Sequence, residues 1–113
     1  MHVKNFSLIT RDNRVEFSPA YDLLNSTLAL GGAEEEMALM LTGKRKEFRR
    51  HELVDYLGRE RLELSDAAIE DALNTFRHAR PLWERLISIS FLTPAAQQGY
   101  REILGERFGR LLG

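Results

Sequence analysis

Phe6-Ser7-Leu8-Ile9-Thr10-Arg11-Asp12-Asn13-Arg14-Val15-Glu16-Phe17 is the stretch on which the fold depends. Phe6 and Leu8 alternate with Ser7, and Val15 and Phe17 alternate around Glu16. A period of two is that of a strand, whose successive side chains face opposite ways. Arg11-Asp12-Asn13-Arg14 lies between the two runs. Asp and Asn tolerate the positive φ that tight hairpin turns demand. Residues 1–20 therefore read as a β-hairpin, ended by Pro19, which has no N–H to give to a ladder.

Beyond the hairpin, Tyr21 to Leu24 is a short apolar patch around Asp22, and Asn25 to Gly32 reads as loop, broken at Gly31-Gly32. Residues 36–42 stay open between two readings. Their Glu, Met, Ala and Leu favour a helix, while the run from Met37 to Leu41, closed by Gly43, also suits a buried strand. From Arg49 the apolar period changes to that of helices. Leu53, Val54 and Leu57 share a face, with Gly58 as the stop. Ser65 is a good N-cap, with Asp66 at the positive end of the helix that follows. That helix carries the stripe Ile69, Ala72, Leu73 and Phe76. Pro81 is expected to break or kink the chain before a further helix bearing Leu82, Leu86 and Ile89. Thr93-Pro94 starts a last helix with Tyr100, Ile103, Leu104, Phe108 and Leu111 on one side. Trp83 and Phe91 read as core. The expected fold is α+β and predominantly α, a hairpin followed by a helical bundle in one domain over residues 1–113.

The 113 residues, 43% apolar and 29% charged, are those of an ordinary globular chain. A formal charge of −1 provides no overall field towards nucleic acid or membrane. The absence of cysteine excludes disulfides and thiolate metal sites and fits a cytoplasmic protein. No apolar run is long enough to span a bilayer. Lys44-Arg45-Lys46 and Arg49-Arg50-His51 make a basic cluster, read as a solvated face ahead of a phosphate or acidic-partner contact. Gly43-Lys44 lacks the upstream glycine of a phosphate loop. His2, His51 and His78 lack ligand-spaced partners, so no zinc site is expected. Glu34-Glu35-Glu36 reads as a solvated run.

Met1-His2-Val3-Lys4-Asn5-Phe6-Ser7-Leu8 enters the hairpin, and Ser18-Pro19-Ala20-Tyr21-Asp22-Leu23-Leu24 leaves it. This pattern resembles the catalytic core of HipA-like serine/threonine protein kinases, toxin components of bacterial toxin–antitoxin pairs. The family's loop reads roughly Asp-x-His-x-Lys-Asn-Phe-Ser, and a Pro-x-Tyr-Asp-Leu/Val-Leu segment follows its hairpin. The resemblance extends over essentially the whole chain, but its specific part is the first 24 residues.

The resemblance implies a kinase C-lobe in which Asn5 and Asp22 hold magnesium, His2 lies near the transferred phosphate and Lys4 contacts phosphate. Kinase loops place a base Asp five residues before the metal-binding Asn. That position falls just before Met1, so the expectation is a C-terminal piece truncated at its N-terminus and inactive alone. The intact kinase would use ATP and Mg²⁺. Its implied partners are a kinase N-lobe, a helix-turn-helix antitoxin and a protein substrate such as a translation factor. For single residues the plainer readings stay open. Asn5 could close a turn, Asp22 could cap a helix at Leu23, His2 could be an exposed terminal residue, and Lys4 a solvated one. The alternative function is a non-catalytic helical interaction module, with apolar surface that binds a partner or a second copy. Direct nucleic-acid binding through the basic cluster is disfavoured by the charge balance.

Overall fold

The fold is that of a computed structural model, which describes residues 5–32 and 35–113. A two-stranded antiparallel hairpin is followed by helices, the α+β, predominantly α architecture expected from the apolar periods. The described residues group into two compact units, divided between Glu47 and Phe48.

In the first unit, β1 (Leu8–Arg11) pairs with β2 (Arg14–Phe17), with Leu8 opposite Phe17 and Arg11 opposite Arg14. The two-residue turn is Asp12-Asn13, with φ of 51° and 59°. Both central residues are thus left-handed, the turn type whose twist matches that of the strands. Asn25 to Gly32 departs from the loop reading: Ser26–Ala29 forms one helical turn, α1. Asn25 caps it by accepting from the Leu28 N–H at 3.1 Å. Residues 36–42 are neither helix nor strand. The N–H groups of Glu36 and Met37 both donate to the Arg45 carbonyl, at 2.7 and 3.1 Å. Leu41 and Lys44 then close a single bridge around Thr42-Gly43, whose φ values are 51° and 79°. Backbone partners inside the segment's own tight turn therefore override its propensity. Of the acidic run, Glu34 lies outside the described residues, and Glu35 and Glu36 have partners besides water. Glu35 accepts from Arg45 at 2.9 and 3.0 Å, and Glu36 accepts from the Glu47 N–H at 3.1 Å.

The second unit holds a π-helix (Glu52–Arg61), α2 (Asp66–Ser88) and α3 (Pro94–Leu112). Glu52 is buried and its carboxylate accepts from the Arg49 N–H at 2.8 Å, satisfying a donor that the helix start leaves over. Ser65 and Thr93 cap α2 and α3 by accepting from Ala68 and Ala96. Arg59 pairs with both Asp55 and Asp66, tying the π-helix to the start of α2, and the Asp66 hydrogen bond raises the guanidinium pKa. The core cluster is Val54, Ile69 and Leu73, with Leu111 and Leu112 packed against it. Arg50 donates to the Leu111 carbonyl at 2.6 Å.

Three expectations for this unit are corrected. Gly58 does not stop its helix. The π-helix runs through it to Arg61, and the left-handed residue beyond is Glu63, with φ of 51°. Pro81 does not break the chain into two helices, because α2 continues across it; of break or kink, only the break is overturned. Trp83 meets Phe76 edge-on at 6.1 Å and Phe108 at 5.8 Å, and Arg80 lies over the Phe108 ring at 5.2 Å. The buried residue of the later α2 turns is Ile87, while Leu82, Leu86 and Ile89 are exposed, as is Phe91 in the α2–α3 connection.

Gly58 is buried, and a Cβ placed on it would lie 3.4 Å from Ile69 Cδ1. An alanine fits at that distance, and a larger side chain would displace α2. Gly58→Ala is therefore expected to be neutral or stabilising by up to about 1 kcal/mol, the helix-propensity difference. Gly58→Leu should cost ~1–3 kcal/mol by overpacking. Urea unfolding of both variants checks this, and a loss of more than ~1 kcal/mol for the alanine would restore the stop assignment.

Candidate metal centre

The hairpin builds the site by counting outward from its turn. Beyond the Leu8–Phe17 pair, Ser18 N–H donates to the Ser7 carbonyl at 2.9 Å, and the two serine hydroxyls hydrogen-bond at 2.9 Å. This extra rung keeps the two ends of the hairpin together. Asn5 at the entry then donates its Nδ2–H to Asp22 Oδ2 at 3.1 Å, although the residues are 17 apart in sequence. A longer contact, 3.5 Å, reaches the Asp22 carbonyl. Asp22 is held at φ 54°, a left-handed conformation that Asp adopts more readily than most residues. Asp22 caps no helix, since the nearest helical turn starts at Ser26 with Asn25 as its cap. Beside Asn5 opens a hollow of about 170 Å³, backed by Phe6, Phe17 and Pro19.

The pair is suited to a hard cation. Mg²⁺ takes oxygen ligands at about 2.1 Å in octahedral array, which sets neighbouring oxygens roughly 3.0 Å apart. The 3.1 Å contact is between the amide nitrogen and the carboxylate, and ligation would use the amide oxygen in place of that nitrogen. An amide oxygen and a carboxylate are the right donors, but two of them leave most of the shell to water and phosphate oxygens. Among the described residues no group of three His, Cys, Asp or Glu side chains is placed to hold a metal. Sequence reasoning named Asn5 and Asp22 but missed the serine pair, whose signal was its position one rung outside the ladder. His2 and Lys4 lie outside the described residues. The basic cluster is partly used internally, Arg45 by Glu35 and Arg50 by the Leu111 carbonyl. Among the described residues no helix is long and apolar enough to cross a membrane.

The HipA-like C-terminal domain matches residues 1–83 of the chain, and so covers both Asn5 and Asp22. The chain belongs to this family. No curated protein matches it.

Proposed function

We propose that the chain is the metal- and phosphate-binding part of a HipA-like, ATP-dependent serine/threonine protein kinase, the toxin of a toxin–antitoxin pair. The observation that carries this reading is the Asn5–Asp22 contact at 3.1 Å, inside the segment matched to the family. In phosphoryl transfer the protein mainly positions groups and neutralises charge. Asn5 and Asp22 would hold Mg²⁺, which supplies a positive charge against the phosphate oxygens of ATP. The Asn5–Asp22 hydrogen bond orients both side chains before the ion arrives, and the Ser7–Ser18 rung holds the backbone that carries them. His2 and Lys4, close before Asn5 in the chain, would contact phosphate. A catalytic-loop base aspartate and a nucleotide-covering glycine-rich loop would act beside these residues, and a kinase N-lobe is the proposed partner. A helix-turn-helix antitoxin and a protein carrying the acceptor serine or threonine complete the proposed set, in the cytoplasm.

The test is transfer of labelled phosphate from ATP to protein. The chain alone should show none. Preceded by a kinase N-lobe and by a catalytic-loop segment with the base aspartate five residues before Asn5, it should label a serine or threonine in a Mg²⁺-dependent manner. Label that appears on the chain alone, or transfer by the joined protein that ignores Mg²⁺, would contradict the proposal.

A further inference from the structure

Helix α2 presents two seams with the alternating three- and four-residue spacing of helix–helix contacts. Ile69, Leu73, Phe76, Trp83 and Ile87 follow one of them, which packs within the unit. The other runs Ala68, Ala72, Thr75, Ala79, Leu82, Leu86 and ends at Ile89. It is left open: Leu82, Leu86 and Ile89 are 55%, 50% and 67% exposed, and Ala68, Ala72 and Thr75 are exposed as well. The seam is graded, small at its N-terminal half and large at its C-terminal half. The flank beside it, at intervals of seven residues, is Asp71, His78 and Arg85. Asp71 and Arg85 are both exposed, and neither makes an ion pair among the described residues.

We infer that this seam pairs with the same seam of a second copy, with the two α2 helices antiparallel about a two-fold axis near Arg77. In that arrangement Leu82 meets Ala72 of the second copy, Leu86 meets Ala68, and Thr75 meets Ala79. Every large side chain faces a small one, so the helices approach closely without voids. The same register sets Asp71 against Arg85 of the second copy, and two-fold symmetry repeats the pair. The gradation and the charges therefore select one orientation. A parallel pairing would set leucine against leucine, leave the alanine half unfilled, and put Asp71 and Arg85 on opposite sides of the seam from their copies, so that they could not pair. Leu86 and Ile89 lie beyond the residues matched to the HipA-like domain.

Sedimentation equilibrium of the full chain, from low to high micromolar, tests the inference. The expected result is a reversible monomer–dimer equilibrium. Leu86→Asp should leave a monomer at every concentration. Asp71→Arg and Arg85→Asp should each raise the dimer dissociation constant by about tenfold, since each turns two attractive rim contacts repulsive. Combined, the two reversals should return it to within about threefold of the parent chain. All three positions are exposed, so far-UV circular dichroism should show unchanged helix content. Leu8→Asp, on the hairpin, should leave the dimer intact. A parent chain that stays monomeric, a dimer that survives Leu86→Asp, or a double reversal no better than the single ones would overturn the inference. So would a dimer abolished by Leu8→Asp, which would assign the contact to the hairpin.

Discussion

Leu73→Ala is expected to lower the stability of the helical unit by about 2–5 kcal/mol, the range for truncating a leucine in a packed core. Leu73 is 4% exposed and sits between Val54 and Ile69, with Leu111 and Leu112 packed against that cluster. The loss should be large because the core is thin. Small domains have total stabilities of about 5–15 kcal/mol, and one such cavity removes a large share. Ile69→Ala should behave similarly, while Leu82→Ala, at an exposed position, should change stability by less than ~0.5 kcal/mol in the monomer. Urea unfolding followed by far-UV circular dichroism measures all three. Equal losses for Leu73 and Leu82 would mean that the buried side of α2 has been misassigned.

The second large effect is on activity. In a kinase formed by this chain, the catalytic-loop segment with the base aspartate and an N-lobe, Asn5→Ala and Asp22→Ala are each expected to reduce phosphoryl transfer by more than ~100-fold. Residues that merely orient metal ligands cost about 10–100-fold when lost, and direct ligands should exceed that. Each substitution removes an oxygen donor and also the 3.1 Å hydrogen bond that orients the other residue. The effects should therefore be far from additive, with the double variant little worse than either single one. Helix content should remain that of the parent, because neither residue belongs to the helical unit. Activity within about tenfold of the parent for either variant would return Asn5 and Asp22 to turn-forming residues.

The parts of the fold that are set locally were legible in the residues. Asp12-Asn13 specifies its turn, and Ser65 and Thr93 specify their caps, through groups no more than a few residues apart. The approach of Asn5 to Asp22 could be read because a hairpin's register is counted outward from its turn. The same local logic, applied to Asn25 followed by Ser26 and Thr27, would have found α1 and its cap. What the sequence did not reveal depends on residues far along the chain. Pro81 stays within α2 where Trp83 packs on Phe108, a contact that no window around the proline contains. Ile87 is buried and Leu86 exposed because α3 lies on one side of α2, and the apolar period of α2 fits either choice. Gly58 looked like a stop because glycine commonly ends helices. Its role here is a close approach to Ile69, which the sequence does not show.

The central claim is that Asn5 and Asp22 form one metal site, and Mn²⁺ titration of the isotope-labelled chain tests it most directly. Mn²⁺ takes the same oxygen ligands as Mg²⁺ and broadens nuclear signals near it. The account predicts weak binding, because two protein oxygens leave most of the shell to water. Even so, the Asn5 side-chain amide and the Asp22 backbone amide should broaden first, with Ser7 and Ser18 next, and excess Mg²⁺ should restore them. Asn5→Ala should abolish the selective effect. Broadening centred on Glu35 and Glu36, or spread evenly over exposed carboxylates with Asn5 and Asp22 no more affected than the rest, would contradict it.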